Sequence, residues 1–262
     1  MQRGLAPHPH GRRSGNHEQR EEGTVSDRTP APRLASFTGR ELAVLLGLTA
    51  LPVAMTTVLL RVLRLSGLGD AVFAHLHPSY VAFIVYSFSN WVTFAIVVGV
   101  AGLGRLRAHG LRFRLDARRA GAAVIAFLGG LAVYGGVSWF LTRVGLPGVG
   151  GMDYPEPSAA EIVLLLACVV VTAAFCEEVF FRVLWIGALG DRIPQWSAAA
   201  ASLVAFAVIH YPYFGLGGVI FISVWAILPA TLFIVFGDVT PSLLMHLMNN
   251  VFAYIVVPLF LR

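Results

Sequence analysis

The sequence predicts an all-α integral membrane protein, a polytopic bundle of transmembrane helices. Hydrophobic residues make up 57% of the 262 residues and charged residues only 13%, with a mean hydropathy of +0.75. This apolar content exceeds what the interior of a water-soluble protein of this size can hold, so the surplus must face lipid. From Leu42 onward, long apolar runs alternate with short polar joints. Each run approaches the length of about 20 residues that a helix needs to cross the hydrocarbon layer.

Seven crossings are the simplest division of these runs, and six to eight are compatible with the crowded C-terminal part. One of the last three spans could be re-entrant or broken, because little chain separates them. The predicted spans are 42–62, 80–104, 120–142, 160–186, 196–214, 217–236 and 240–261.

The N-terminal residues differ from the rest of the chain. Residues 1–40 are rich in Pro, Gly, Arg, Glu and His and show no apolar periodicity. A segment of this composition cannot bury enough surface to fold alone. We therefore expect a disordered tail over 1–40 and a membrane domain over 41–262.

The placement of the basic residues predicts orientation. All 19 of them are arginine, and six lie in the segment 105–119, whereas 66–79 contains none. Arginine-rich loops beside apolar segments stay in the cytoplasm, so the tail and 105–119 are expected there and the acidic loop 143–160 outside. This placement indicates membrane topology, and no nucleic-acid partner is expected. Arginine without lysine, with abundant alanine and glycine, is typical of a GC-rich bacterium and hence of a bacterial cytoplasmic membrane.

Two adjacent carboxylates and an arginine lie within the fourth apolar run. An ionisable side chain in lipid costs about 3 kcal/mol or more, so each is a candidate functional residue. Glu178 and Arg182 are four residues apart with the acid first, which predicts a structural ion pair on one helix face. Glu177 points about 100° away and lacks that partner, as a general base for water requires. The alternative is that all three charges form one buried structural network.

Two later spans carry histidine. His210 follows Phe206 by four positions, and His246 precedes Asn250 by four, with Asn249 beside it. Taken singly, His210 is explained as well by a helix-end or packing role, and His246 by a hydrogen bond to a neighbouring helix.

Depth within the membrane tests whether these groups can meet. Glu177 and His210 each lie 14 residues from the joint at 191–196, which is about 20 Å at helical rise. His246 lies only eight residues beyond Asp238. We expect it to be shallower by several ångströms unless its helix is tilted or begins later.

Together, the order Glu177-Glu178-x-x-x-Arg182, Phe206-x-x-x-His210 and His246-x-x-x-Asn250 resembles the CPBP family of intramembrane (metallo)proteases. This family is also described as the type II CAAX prenyl endopeptidase and abortive-infection family. The resemblance covers about residues 160–255. It implies a helical enzyme with a water-filled intramembrane catalytic cavity. Such an enzyme cleaves a peptide bond near the C-terminal tail of a membrane-associated or prenylated protein or peptide.

Carried over by position, the resemblance implies a role for each motif residue. Glu177, paired with Glu178, would activate water with help from His210, and His246 and Asn250 would stabilise the oxyanion. Zn²⁺ is compatible with Glu177, His210 and His246, because catalytic zinc commonly uses three protein ligands and one open position. The HExxH pattern of soluble zinc proteases is absent, however, and a glutamate with a histidine can polarise water unaided.

Three other functions are compatible with parts of the pattern. Intramembrane Glu, His and Arg also mark the proton relays of ion-coupled transporters, although no internal repeat is present. A non-catalytic immunity or scaffold protein could use the same fold. Cys176 could act as a nucleophile with His210, but a thiol buried in apolar surroundings is inert. The sequence selects no particular substrate and no oligomeric state.

Overall fold

The computed structural model describes residues 36–148 and 156–261. These ranges are helical and contain no strand, which confirms the predicted fold class. The predicted tail lies outside the described residues except for 36–40. The helices are α1 Gly39–Leu48, α2 Leu51–Leu65, α3 Leu68–Phe73, α4 Pro78–Ala101, α5 Leu103–Ala108, α6 Ala117–Arg143, α7 Ala159–Asp191, α8 Gln195–Ile209, α9 Tyr211–Trp225, α10 Ile227–Phe236 and α11 Thr240–Phe260.

The number of membrane spans is lower than the simplest prediction. In the described ranges, five helical stretches are long and apolar enough to cross: α4, α6, α7, α9 with α10, and α11. The bent pair of α1 and α2 makes a sixth if it is one span, which is the lower end of the predicted range. The main difference lies in the predicted span 196–214. Its helix, α8, has 15 residues, or about 22 Å, against a hydrocarbon core of roughly 30 Å.

Two of the predicted spans are interrupted. In the first, the Thr49 hydroxyl donates to the Leu46 carbonyl at 2.6 Å, and α2 departs at a bend of 40°. The second interruption is at His210, between α8 and α9. Pro212 follows in the first turn of α9, where its missing N–H costs no hydrogen bond. Gly215, with φ 61° and ψ −165°, breaks the helical conformation again.

The helix that carries both glutamates, α7, is 33 residues long. Its start is held by a capping box between Ser158 and Glu161, in which each side chain accepts a hydrogen bond from the other residue's backbone N–H. Wide π-type turns at Leu166–Ala173 and Val179–Ala188 flank the α-helical stretch Ala174–Glu178. Wide turns of this kind are rare and are frequent at functional sites. Here they bracket Glu177 and Glu178.

The arginine-rich loop, residues 102–116, covers the turn before α11. The backbone N–H of Val239 donates to the Gly110 carbonyl at 3.0 Å, and the N–H of Arg114 donates to the Thr240 hydroxyl at 2.8 Å. Asp238 is consequently only 2% exposed. The last helix therefore begins beneath the loop and not at the edge of the bundle.

This late start corrects the depth expected for His246. The residue count placed Asp238 level with the joint at 191–196, which made His246 shallower than Glu177. Because Asp238 is buried under the loop, the same eight residues carry His246 deeper into the bundle.

Arg119, in the first turn of α6, ties that helix to the covered turn. Its guanidinium lies 2.8 Å from an Asp238 carboxylate oxygen, and its backbone N–H donates to Asp116 at 2.8 Å. This backbone hydrogen bond, followed by one from the guanidinium, holds the pKa of Asp116 below its ordinary value. Asp116 therefore stays ionised as the N-cap of α6.

Helix α7 packs against α4, α8 and α11. Its buried apolar residues, including Val179, Phe180, Phe181 and Leu184, form one cluster with residues of α1, α6, α8 and α10. The packing places the middle of α7 next to the helices that carry the two predicted histidines.

Candidate active site

Three helices that are distant in sequence bring together a carboxylate and two imidazoles. The Oε2 atom of Glu177 lies 3.9 Å from Nε2 of His210 and 3.7 Å from Nε2 of His246. Their side chains are only 6%, 13% and 5% exposed. These separations are too long for direct hydrogen bonds. A water molecule beside them can bond to each group, as a general-base site requires.

The other oxygen of Glu177 has a different partner. The hydroxyl of Tyr86, on α4, donates a hydrogen bond to Oε1 at 2.8 Å. The expectation of a carboxylate without an arginine partner agrees with this geometry, but Glu177 is not isolated. Its two oxygens are divided between a phenol and the imidazole pair.

Sequence reasoning missed Tyr86. A signal was present, since Tyr86, Asn90 and Thr93 recur at helical spacing within an apolar span. Asn90 and Thr93 donate to main-chain carbonyls of their own helix, so this stripe by itself does not single out the tyrosine.

Glu178 lies among a separate set of partners. Its Oε1 is 2.9 Å from Nδ1 of His246, and its Oε2 is 3.4 Å from Nε of Arg182. The arginine contact has ion-pair distance without the geometry of a hydrogen bond. The Arg182 guanidinium, which is fully buried, also lies 5.0 Å from the centre of the Phe206 ring, within the range of a cation–π contact. Glu178 therefore orients His246 and balances Arg182.

The contact at Nδ1 of each imidazole indicates which ring nitrogen carries the hydrogen. Nδ1 of His210 lies 2.6 Å from the Phe206 carbonyl, and Nδ1 of His246 faces the Glu178 carboxylate. Because both partners are acceptors, each Nδ1 carries the hydrogen. In the neutral ring, Nε2 then presents its lone pair towards Glu177, as a proton acceptor would.

Aromatic rings wall the imidazoles. The Phe206 ring is 4.6 Å from His210 and 6.4 Å from His246 between ring centres, and Trp225 is 5.2 Å from His246. Such apolar walls limit the access of bulk water and strengthen the electrostatic interactions inside the site.

Asn250, which is buried, makes hydrogen bonds with both atoms of its side-chain amide. Its amide nitrogen donates to the carbonyl of Val169 in α7 at 3.1 Å, and its oxygen accepts from Asn249 at 3.3 Å. The amide nitrogen has two hydrogens, so one donor remains beyond the Val169 bond. The bond to Val169 lies within the π-type stretch of α7 and ties α11 to it.

The described residues fit a resident metal poorly. Zinc ligands lie about 2.0–2.2 Å from the ion, which puts neighbouring ligand atoms of a tetrahedral site about 3.3 Å apart. The Glu177 oxygen is 3.7 and 3.9 Å from the two imidazole nitrogens. Among the residues that the structure describes, no group of three His, Cys, Asp or Glu side chains is arranged to hold an ion.

Two cavities lie beside the site, of about 360 and 300 Å³, and Phe175 lines both. The larger also touches Arg107 and Arg112, and the smaller is lined by apolar residues of α4, α7 and α11. Neither is lined by Glu177, so the predicted water-filled catalytic cavity stays a prediction.

Comparison with known families agrees with this part of the molecule. Residues 159–252 match the model of the Rce1-like family, described as type II CAAX prenyl endopeptidase Rce1-like. The match begins at the first residue of α7 and includes all three motifs. Comparison with curated proteins and with solved structures found no match. The chain is an integral membrane protein, and its residues 159–252 are similar to the Rce1-like family of type II CAAX prenyl endopeptidases, which supports membership of the CAAX-processing family.

Proposed function

We propose that this protein is an intramembrane endopeptidase in which Glu177 activates water to hydrolyse a peptide bond. The observation that carries the proposal is the approach of Glu177 Oε2 to both imidazole Nε2 atoms, at 3.9 and 3.7 Å, inside a buried site. Three helices contribute these atoms. An arrangement of one carboxylate and two oriented imidazoles is a recurrent means of activating water.

The proposed reaction uses Glu177 as the base. Water attacks the carbonyl carbon of the scissile bond, and its proton passes to Glu177 with His210 beside the same oxygen. The carbonyl becomes an oxyanion, which the remaining amide hydrogen of Asn250 stabilises together with an Nε2–H of His246, a donor that this ring has only when both of its nitrogens carry hydrogen. When the C–N bond breaks, Glu177 returns the proton to the leaving amine.

The proposed substrate class follows from the family. The matched family is named for CAAX prenyl endopeptidases, so a prenylated or otherwise membrane-associated protein is the proposed substrate. Cleavage near its C-terminus, within the bacterial cytoplasmic membrane, completes the proposal. The arginines of the 102–116 loop support a cytoplasmic position for this loop and for the N-terminal tail.

Replacement of Glu177 tests the proposal. Purified protein in liposomes is incubated with a fluorogenic farnesylated peptide that ends in a CAAX tail, and C-termini are compared in cells with the unchanged protein and the variant. Glu177→Gln should abolish cleavage, a loss of at least about 1,000-fold, because no base remains to take the proton from water. Full turnover by a folded Glu177→Gln variant would overturn the assignment.

Cys176→Ala is the matched control, because it alters the neighbouring residue of the same helix. The Cys176 thiol is fully buried, so its removal should leave turnover within about twofold. Loss of cleavage in Cys176→Ala with retention in Glu177→Gln would favour a thiol nucleophile. If neither the probe nor any cellular C-terminus is cleaved, the immunity or scaffold function becomes the better explanation.

A further inference from the structure

Tyr86 lies outside the segment that carries the family resemblance, yet it contacts the proposed base. It belongs to α4, whereas the family match begins only at residue 159. Its hydroxyl is 2.8 Å from Glu177 Oε1. A carboxylate can only accept, so the phenol donates. A fourth helix therefore reaches the site through one side chain.

The hydrogen bond divides the two oxygens of Glu177. Oε1 is occupied by Tyr86, and Oε2 faces the imidazoles of His210 and His246. A carboxylate held at one oxygen cannot rotate freely about its terminal bond. Oε2 consequently stays where a water molecule between the imidazoles would need it.

The packing around Tyr86 also holds its side chain in place. The Tyr86 ring meets the Tyr213 ring edge-on, with 5.9 Å between centres, so rings from α4 and α9 support each other. The backbone carbonyl of Tyr86 accepts from the Asn90 side chain at 2.9 Å, and α4 packs along α7. The tyrosine is thus held by its neighbours.

We infer that Tyr86 is a positioning residue for the reaction: its hydroxyl orients the Glu177 carboxylate. The inference rests on the proposed function and deepens it. Tyr86 would then belong to the active site although it lies outside the Rce1-like segment and outside all three motifs.

Tyr86→Phe tests this role, with the ring kept and only the hydroxyl removed. We expect kcat to fall about 10- to 100-fold, the effect of one hydrogen bond to a charged group, with KM changed by less than about twofold. A fall in kcat without a rise in KM distinguishes a role in positioning the base from a role in binding the substrate.

Tyr213→Phe is the matched control. It removes the hydroxyl of the ring that packs on Tyr86, and that hydroxyl makes no hydrogen bond to Glu177. Its kcat and KM should stay near those of the unchanged protein. Equal losses of kcat in both variants, or a rise in KM that matches the fall in kcat in Tyr86→Phe, would show a general packing effect and overturn the inference.

A stability cycle separates this inference from the proposed function. Thermal unfolding of Tyr86→Phe, Glu177→Gln and the double variant needs no substrate. If the two side chains are coupled, the double variant loses less than the sum of the single losses. Additive losses of stability would show that the two side chains do not interact and would overturn the inference. Coupling in a protein that cleaves no substrate would support the contact and contradict only the proposed proteolytic function.

Discussion

Glu177 and Glu178 are neighbours in sequence with separate tasks in the fold. Glu177 contacts Tyr86 and faces the two imidazole Nε2 atoms, while Glu178 contacts Arg182 and Nδ1 of His246. Helical geometry explains the division, since consecutive residues point about 100° apart. His246 nevertheless contacts both glutamates and so links Glu177 to the ion pair of Arg182 with Glu178, as the alternative of one buried network also predicts.

Removal of Arg182 should expose the energetic role of that pair. Arg182 and Glu178 are both fully buried, so Arg182→Ala leaves a buried charge without its counter-ion. We expect a loss of about 3–5 kcal/mol in the free energy of unfolding, measured by thermal or denaturant unfolding in detergent.

The double variant Arg182→Ala with Glu178→Gln is the control, because it removes the stranded charge as well. It should recover part of the stability. Unchanged unfolding of Arg182→Ala would contradict the ion pair.

At the scale of elements, α7 approaches the backbone of the arginine-rich loop closely at Gly187. A Cβ placed there would lie 2.2 Å from the carbonyl oxygen of His109. His109 itself contacts Asp191 at the end of α7, with 2.9 Å between Nε2 and the carboxylate. The absence of a side chain at Gly187 therefore allows the loop to pack directly against α7. The same loop covers the start of α11.

Gly187→Ala should therefore destabilise the protein. The added methyl group must displace backbone and not a flexible side chain, which costs about 1–3 kcal/mol, detected as a lower unfolding temperature in detergent. Gly190→Ala is the matched control, since its nearest neighbour would be Cγ of Gln195 at 3.7 Å. Equal stability of Gly187→Ala and Gly190→Ala would contradict the close approach.

At the scale of the whole molecule, the arrangement of helices gives the bundle two ends. The 102–116 loop lies at one end of α6, and the segment after Arg143 begins at the other, 27 residues along the helix, or about 40 Å. The positive-inside rule predicts that the first end faces the cytoplasm.

Cysteine labelling tests this orientation. Arg112 and Glu156 are exposed and lie on opposite sides of α6 in the chain. With an impermeant maleimide, Glu156→Cys should be labelled in intact cells and Arg112→Cys only after permeabilisation. The unchanged protein, whose Cys176 is buried and whose Cys168 lies within α7, gives the background. The reverse pattern would contradict the assignment.

Hydropathy and spacing predicted much of this from local information. The all-helical membrane fold follows from an apolar content that only lipid can accommodate, and the ion pair of Arg182 with Glu178 follows from an i, i+4 spacing on one helix. The three motifs led to the family that the comparison confirms.

The sequence by itself determined the class of protein, the runs that become helices and the residues that carry chemistry, because these depend on each residue and its near neighbours. Tertiary structure alone decided the depth of His246, the bond of Asn250 to Val169 and the contact of Tyr86 with Glu177. It also replaced one predicted crossing by the short helix α8. Such features depend on how far each helix slides and tilts against the others, and that is set by the packing of the whole bundle.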